Sequence, residues 1–225
     1  MQKNDLEQHR TQERENKTKA EAHWSGPQGD AWMERCSNEK IIASKLALYS
    51  KMLSKTKGIN SVLEFGPGTG QSLSAVKALL PEVSCCAVEI NDKASQLLKS
   101  NLPCCDVILG SILDTQPPEC YDFVYTSGLL IHITDEFIAM AYDRLYSSSN
   151  RYIGIAEYYN PTPVDVMYRG ESGILFKRDF AGEMLDRFPD LDLVDYGFVY
   201  HRDPNFPQDD VNWFLLEKIA KRSLS

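Results

Sequence analysis

The chain has 225 residues, of which 43% are hydrophobic and 25% charged, the make-up of one globular domain with a sizeable core. A formal net charge of −8 disfavours non-specific binding to nucleic acid or to an anionic membrane surface. The N-terminus has no apolar leader and no stretch approaches the roughly 20 apolar residues of a membrane span, so a cytoplasmic protein is expected.

Residues 1–22 are polar and of mixed charge, and are expected to be a disordered or frayed extension ahead of one domain over 23–225. Within that domain, residues 23–57 should form an N-terminal aromatic segment. Trp24 and Trp32 flank a Gly-Pro turn there, either plugging the core or closing over a site as part of the acceptor pocket. Apolar residues from Ile41 to Leu53 recur at helical spacing, and Gly58 follows as a stop.

Ser61-Val62-Leu63-Glu64-Phe65 is a short apolar strand that runs into Gly66-Pro67-Gly68-Thr69-Gly70 and then into an amphipathic helix from Gln71. Glycines at alternating positions let a backbone turn sharply and approach a ligand, and the following helix directs unpaired N–H groups at it. The spacing is not the G-x-G-x-x-G of a dinucleotide fold. The pattern E-x-G-x-G-x-G resembles motif I of the class I S-adenosylmethionine (SAM) methyltransferases, which makes Glu64, Gly66, Gly68 and Gly70 candidate cofactor residues.

Val83 to Ile90 reads as a second strand, with Asn91 capping a helix to about Asn101. Glu89 lies about 20 residues beyond the glycine turn, where a carboxylate can accept both ribose hydroxyls. Ile90 adjoins it, and Asp92 is a weaker neighbour. A third strand, Cys105 to Gly110, leads into Ser111 and Ile112, which in SAM enzymes line the adenine. A fourth strand, Tyr121 to Thr126, leads into Ser127, Gly128 and His132 beside the reactive end of the cofactor, with His132 a candidate base. Thr134 should cap a helix over about 135–146, and a fifth strand runs from Arg151 to Glu157.

Glu157 (a second candidate base), Tyr158, Tyr159 and Asn160 reach the same rim as His132, with the two tyrosines able to box a sulfonium by cation–π contact. Residues 158–178 show no clear periodicity and are expected to be an acceptor-side loop insertion. Arg169, Lys177 and Arg178 form a basic group that fits an anionic acceptor, unless they pair with neighbouring acids. A helix from Asp179 and two strands, 191–200 and 211–219, close the chain as a hairpin.

Six cysteines include two vicinal pairs on expected buried strands, without zinc spacing, and no metal is expected. Apolar strands alternating with helices imply an α/β fold. The expected architecture is a Rossmann-like, mostly parallel seven-stranded sheet with a C-terminal antiparallel hairpin, as in class I methyltransferases.

The later motifs sharpen the resemblance. Glu157-Tyr158-Tyr159-Asn160-Pro161-Thr162-Pro163-Val164, Tyr168-Arg169-Gly170, Leu175 to Gly182, Asp195 to Phe198, His201-Arg202-Asp203 and Gln208 to Lys218 resemble the pseudaminic acid biosynthesis-associated methylase family, as does the segment from Trp24 to Trp32. The resemblance implies SAM-dependent methyl transfer to a small, anionic metabolite at O or N, such as a sugar acid or a nucleotide-linked sugar. It implies no nucleic-acid or membrane partner and a monomer or homodimer. A SAM-binding sensor that has lost catalysis is the alternative.

Overall fold

The computed structural model describes residues 17–35 and 39–219. In chain order its elements are α1 (Lys19–Trp24), α2 (Pro27–Arg35), α3 (Glu39–Leu53), β1 (Ser61–Phe65), α4 (Gln71–Leu79), β2 (Ser84–Glu89), α5 (Asp92–Asn101), β3 (Cys105–Leu109), β4 (Tyr121–Ser127), a single 3-10 turn Leu130–His132, α6 (Ile138–Ser148), β5 (Ser149–Glu157), β6 (Val164–Tyr168), β7 (Glu171–Lys177), α7 (Phe180–Arg187), β8 (Leu191–Val199) and β9 (Val211–Lys218).

β1 lies inside a seven-stranded sheet of order β3-β2-β1-β4-β5-β9-β8. The first five strands are mutually parallel, while β9 runs antiparallel between β5 and β8. Every residue of β1 after Ser61 is buried, because helices cover both faces. Its side chains alternate between two cores. Val62 packs with Leu48, Tyr49 and Met52 of α3 and with Val76 of α4. Leu63 and Phe65 join Ile138 and Leu145 of α6 and Met184 of α7 on the other face. The chain order reverses between β1 and β4, so their carboxyl ends open a crevice where a ligand fits.

Local signals explain several boundaries. Asn91 caps α5 by accepting the Ala94 N–H at 3.0 Å, and Asp179 caps α7 by accepting that of Gly182 at 2.9 Å. α6 begins later than the sequence implies. Thr134 does not cap it; a tight turn, with Phe137 and Ile138 N–H donating to the Thr134 carbonyl, precedes the first helical residue. Cys85, Cys86 and Cys105 are buried as expected of small apolar residues, but Cys104 is exposed just before β3.

Two segments depart from expectation. Residues 158–178 hold an antiparallel hairpin, β6–β7, rather than an irregular loop. Its two-residue turn is Arg169-Gly170, with φ of 51° and 84°, the doubly left-handed geometry that suits the strand twist. The expected disorder of residues 1–22 falls mostly outside the described residues, but Lys19 to Ala22 belong to α1. Thr18 and Glu21 close that helix with a reciprocal capping box.

Candidate active site

The glycine turn and the end of β2 are built as one unit. Gly66, Gly68 and Gly70 all have positive φ, at 69°, 57° and 88°. At Gly68 a side chain would also meet the Trp32 ring at 2.9 Å, so only glycine fits there without displacing it. The Gly68 N–H donates to Glu89 Oε2 and the Asn91 N–H to Oε1, each at 2.8 Å. Burial pushes the Glu89 carboxyl upward against these backbone donors. The carboxylate keeps free lone-pair capacity, and Glu89 lines a cavity at the strand ends, so it can still accept ligand hydroxyls.

That cavity, about 450 Å³, runs along the carboxyl ends of the strands. One end is walled by Gly66, Gly68, Glu89, Ile90, Gly110, Ser111 and Ile112. The other is walled by Ser127, His132, Glu157, Tyr158, Tyr168 and Trp24. Thus most of the sequence-derived site residues meet on one surface.

Glu157 ends β5 beneath the turn that follows β4. Its Oε1 accepts the Leu129 and Leu130 N–H groups at 3.0 and 3.1 Å, and Oε2 accepts that of Ile131 at 3.4 Å. Burial raises its pKa to about 7 although these donors favour the charge. Neither Arg151 nor Lys177 is its partner; Arg151 pairs with Glu217 at 2.7 Å. Such a carboxylate holds the 129–131 backbone in place, and its lone pairs are largely committed.

His132 is differently poised. Its Nδ1 lies 2.7 Å from the Ile174 carbonyl of β7, which can only accept, so Nδ1 carries the proton and Nε2 is left as an acceptor. Burial lowers its pKa to about 4, so the ring is neutral at physiological pH. The Trp24 ring lies 4.5 Å away, centroid to centroid. Trp24 also meets Trp32 edge-on at 6.2 Å and Tyr168 at 6.3 Å. The Trp24 Nε1 is buried with no hydrogen-bond partner among the described residues.

Trp24 comes from α1 and Trp32 from α2, and these helices close one side of the cavity, while Tyr168 ends β6. α1 rests on β7, where Lys19 donates to the Ser172 carbonyl at 2.8 Å and pairs with Glu171 at 3.4 Å. α2 rests on α5. There Asn91 Nδ2 donates to the Trp24 carbonyl and to Asp30 Oδ1, both at 3.0 Å, and Lys93 pairs with Asp30.

Several sequence-derived candidates stand off the cavity wall. Gly70 packs on Leu98 at the start of α4. Tyr159 is exposed, 6.2 Å from the Phe214 ring, and Asn160 donates to the Thr162 carbonyl at 2.5 Å. Arg178 is buried and spent on Asp135 at 2.8 Å and Glu183 at 3.2 Å. Lys177 lies 5.3 Å over the Tyr158 ring. Of that basic trio only Arg169 faces the cavity, from the hairpin turn. Glu64 is buried under the glycine turn, where burial raises its pKa to about 8 against the pull of Lys45.

Lys45, Tyr168 and Asp209 line the cavity but were not sequence candidates. Lys45 Nζ donates to Ser127 Oγ at 2.7 Å. It sits mid-helix in α3 among apolar residues, so only its position within a buried stripe could have flagged it. Tyr168 is marked by its place just before the hairpin turn. Asp209 has no local signal and arrives through the β8–β9 connection. Its neighbour Asp210 is bound to His201 Nδ1 at 2.8 Å. Among the described residues no group of three or more His, Cys, Asp or Glu could hold a metal, and no helix is long and apolar enough to cross a membrane.

Residues 62–150 match the family described as a methyltransferase domain. The chain is also similar in fold to solved methyltransferases. One is magnesium protoporphyrin IX methyltransferase from Synechocystis PCC 6803 with bound SAM, at TM-score 0.66 and 12% identity, covering 88% of this chain and 95% of that one. Another is the 1,6-didemethyltoxoflavin-N1-methyltransferase of Burkholderia thailandensis with bound S-adenosylhomocysteine (SAH), at TM-score 0.63 and 12% identity, covering 88% and 85%. A third is the N-methyltransferase NodS of Bradyrhizobium japonicum with SAH, at TM-score 0.63 and 13% identity, covering 84% and 98%. No curated protein sequence matches the chain.

Proposed function

We propose that this chain is a SAM-dependent methyltransferase acting on a small molecule at O or N. The observation that carries this reading is one continuous cavity joining the Glu89 carboxylate to the neutral His132 across the glycine turn. The residues fit the cofactor: Glu89 suits the ribose hydroxyls, Ser111 and Ile112 the adenine, and the Gly66 and Gly68 turn lines the same cavity. Bound SAM supplies an electrophilic methyl carbon on a sulfonium. The protein's task is then to hold the acceptor in line and keep water out, which contributes several kcal/mol to the rate.

His132 Nε2 is suited to accept a hydrogen bond from the acceptor's O–H or N–H and so orient its lone pair. With a pKa of about 4 it is a weak proton acceptor, which fits a neutral amine or an acidic hydroxyl better than a simple alcohol. Glu157 supports the backbone beside it and is a positioning group. Tyr158, whose hydroxyl burial and Asp209 keep protonated, offers a second polar contact. Trp24, Trp32 and Tyr168 form the apolar wall, with Arg169 at its rim for an anionic group. The expectation of an anionic acceptor now rests on Arg169 alone of the three basic residues. The resemblance to the pseudaminic acid-associated methylases makes sugar acids one pool to search.

The test is incubation with methyl-labelled SAM and separate pools of sugar acids, nucleotide-linked sugars and amines. Transfer of label into one pool, slowed in His132→Ala while SAH binding stays, supports the reading. SAH binding without transfer to any pool would instead favour a binding protein that has lost catalysis.

A further inference from the structure

The far edge of the sheet is a surface that the methyltransferase reading does not use. β8 is the last strand in the order and pairs with β9 on one side, so its outer side presents backbone N–H and C=O groups to solvent. The stretch Asp195-Tyr196-Gly197-Phe198 that forms this edge takes no part in the cavity wall.

The two halves of the strand differ. The register slips between Leu193 and Asp195, and Asp195 Oδ1 accepts the Tyr196 N–H at 2.9 Å. A bulge and a carboxylate shield the first half, as sheet edges commonly are shielded. Beyond Tyr196 the pairing with β9 is regular and the edge carries neither Lys nor Pro. It carries rings instead: Tyr196, Phe198 and Tyr200 alternate onto one face and are 66%, 52% and 46% exposed. Phe214 of β9 lies between Tyr196 at 6.3 Å and Tyr159 at 6.2 Å, so an aromatic file runs from the end of β5 out to the edge. Phe206, 45% exposed, joins Phe198 and Tyr200 along a groove of about 710 Å³ between α3 and the end of β8. The exposed parts of these four rings come to about 400 Å², large for the surface of a lone chain.

The row of backbone groups calls for a strand as its partner, and Asp192 and Asp195 beside it disfavour an anionic bilayer. A second copy of β8 meets both conditions. Two antiparallel copies related by a two-fold axis pair residues of the same parity, so the rings of both fall on one face and interleave. The charges agree with that direction. Asp192 and Asp195 precede the rings, whereas His201 and Arg202 follow them, and Asp203 is committed to the Asn205 and Phe206 N–H groups. Antiparallel pairing therefore lays the acidic end of each copy along the basic end of the other. The ring surface, the backbone edge and the groove together approach the roughly 800 Å² per partner of a stable interface.

We propose that two copies of the chain associate through this edge, by antiparallel β8–β8 pairing that extends the sheet and interleaves the Tyr196, Phe198 and Tyr200 rings. Asp195 must release the Tyr196 N–H as the edge pairs, so the association is moderate, with a Kd on the order of micromolar. The contact needs nothing from the cavity and stands whether or not the chain transfers methyl groups.

The test is sedimentation equilibrium of the full chain from about 1 to 200 μM. The mass should rise with concentration from 25.5 kDa toward about twice that value. Tyr196→Lys combined with Phe198→Lys should weaken association at least about tenfold while melting stays cooperative, because lysines on an edge oppose pairing. Met167→Lys, on the exposed β6 and away from this edge, should leave association unchanged. Amide hydrogen exchange over residues 196–200 should slow as the concentration rises. A mass that stays at 25.5 kDa throughout, association that survives the double substitution, loss of association in Met167→Lys, or exchange at 196–200 that ignores concentration overturns the proposal. If the double variant does not fold, Phe198→Thr, which suits a strand but removes a ring, decides by the same readout.

Discussion

The two ends of the cavity are built in different ways. The cofactor end is assembled from strand ends and turns within residues 64–112, each placed by a neighbouring element of the same parallel block. The acceptor end gathers α1, α2, the 3-10 turn, the β6–β7 hairpin and the β8–β9 connection, with one contact, Lys19 to Ser172, spanning 153 residues of sequence. The first is fixed by backbone hydrogen bonds inside a buried sheet. The second is closed by packed aromatic rings and by ion pairs near the surface. The difference assigns rigid recognition to one end and adaptable recognition to the other.

The contrast can be broken most severely at the glycine turn. Gly68→Leu places a side chain against Trp32 at a φ of 57°, and should cost about a thousandfold in SAH affinity by titration. Next, Glu89→Ala removes the ribose acceptor and strands two backbone N–H groups, so SAH affinity should fall about a hundredfold with a lowered melting temperature. Near-normal SAH binding in either variant would mean that the glycine end does not hold the cofactor.

The third effect is on stability and its dependence on pH. The folded-state pKa of Glu157, about 7, is raised above its ordinary 4.5 by burial. The unfolded chain therefore ionises first, and stability is lost as pH rises from about 4.5 through 7. Between pH 5 and pH 8 this group should remove roughly 2 kcal/mol, and Glu157→Gln should flatten that slope in denaturant titrations. His132 works in the opposite sense. Its lowered pKa, about 4, gives stability that is present above pH 6.5 and lost as pH falls through 4.

Smaller effects belong to the acceptor end. His132→Gln should lower kcat about tenfold with SAH affinity unchanged, because it displaces an orienting acceptor rather than removing a strong base. Asp30→Asn removes the exposed contact with Lys93 and should leave the melting temperature almost unchanged. An equal loss of SAH affinity in His132→Gln would erase the division between the two ends.

That division also explains what the sequence revealed. Glycine spacing, the acid at the end of β2 and the Asn91 cap are local rules, so Gly68 and Glu89 could be named before the fold was known, whereas Ser111 and Ile112 rested on the family resemblance. At the acceptor end the partners of the charged residues come from afar, so local rules could not supply them. Glu157 is engaged by the backbone of 129–131, and Arg178 by Asp135 and Glu183, none of which is adjacent in sequence. The β6–β7 hairpin was missed although Val164, Val166 and Tyr168 alternate, because the turn uses Arg169 where Asn or Asp is usual. Lys45 and Asp209 are visible only once α3 and the β8–β9 connection converge on the cavity.

The most direct test of the central claim is parallel calorimetric titration of the purified chain with SAM, SAH and NADPH. The account predicts saturable binding of SAM and SAH at one site, abolished by Gly68→Leu, and no binding of NADPH. Binding of NADPH, or of none of the three, would contradict it.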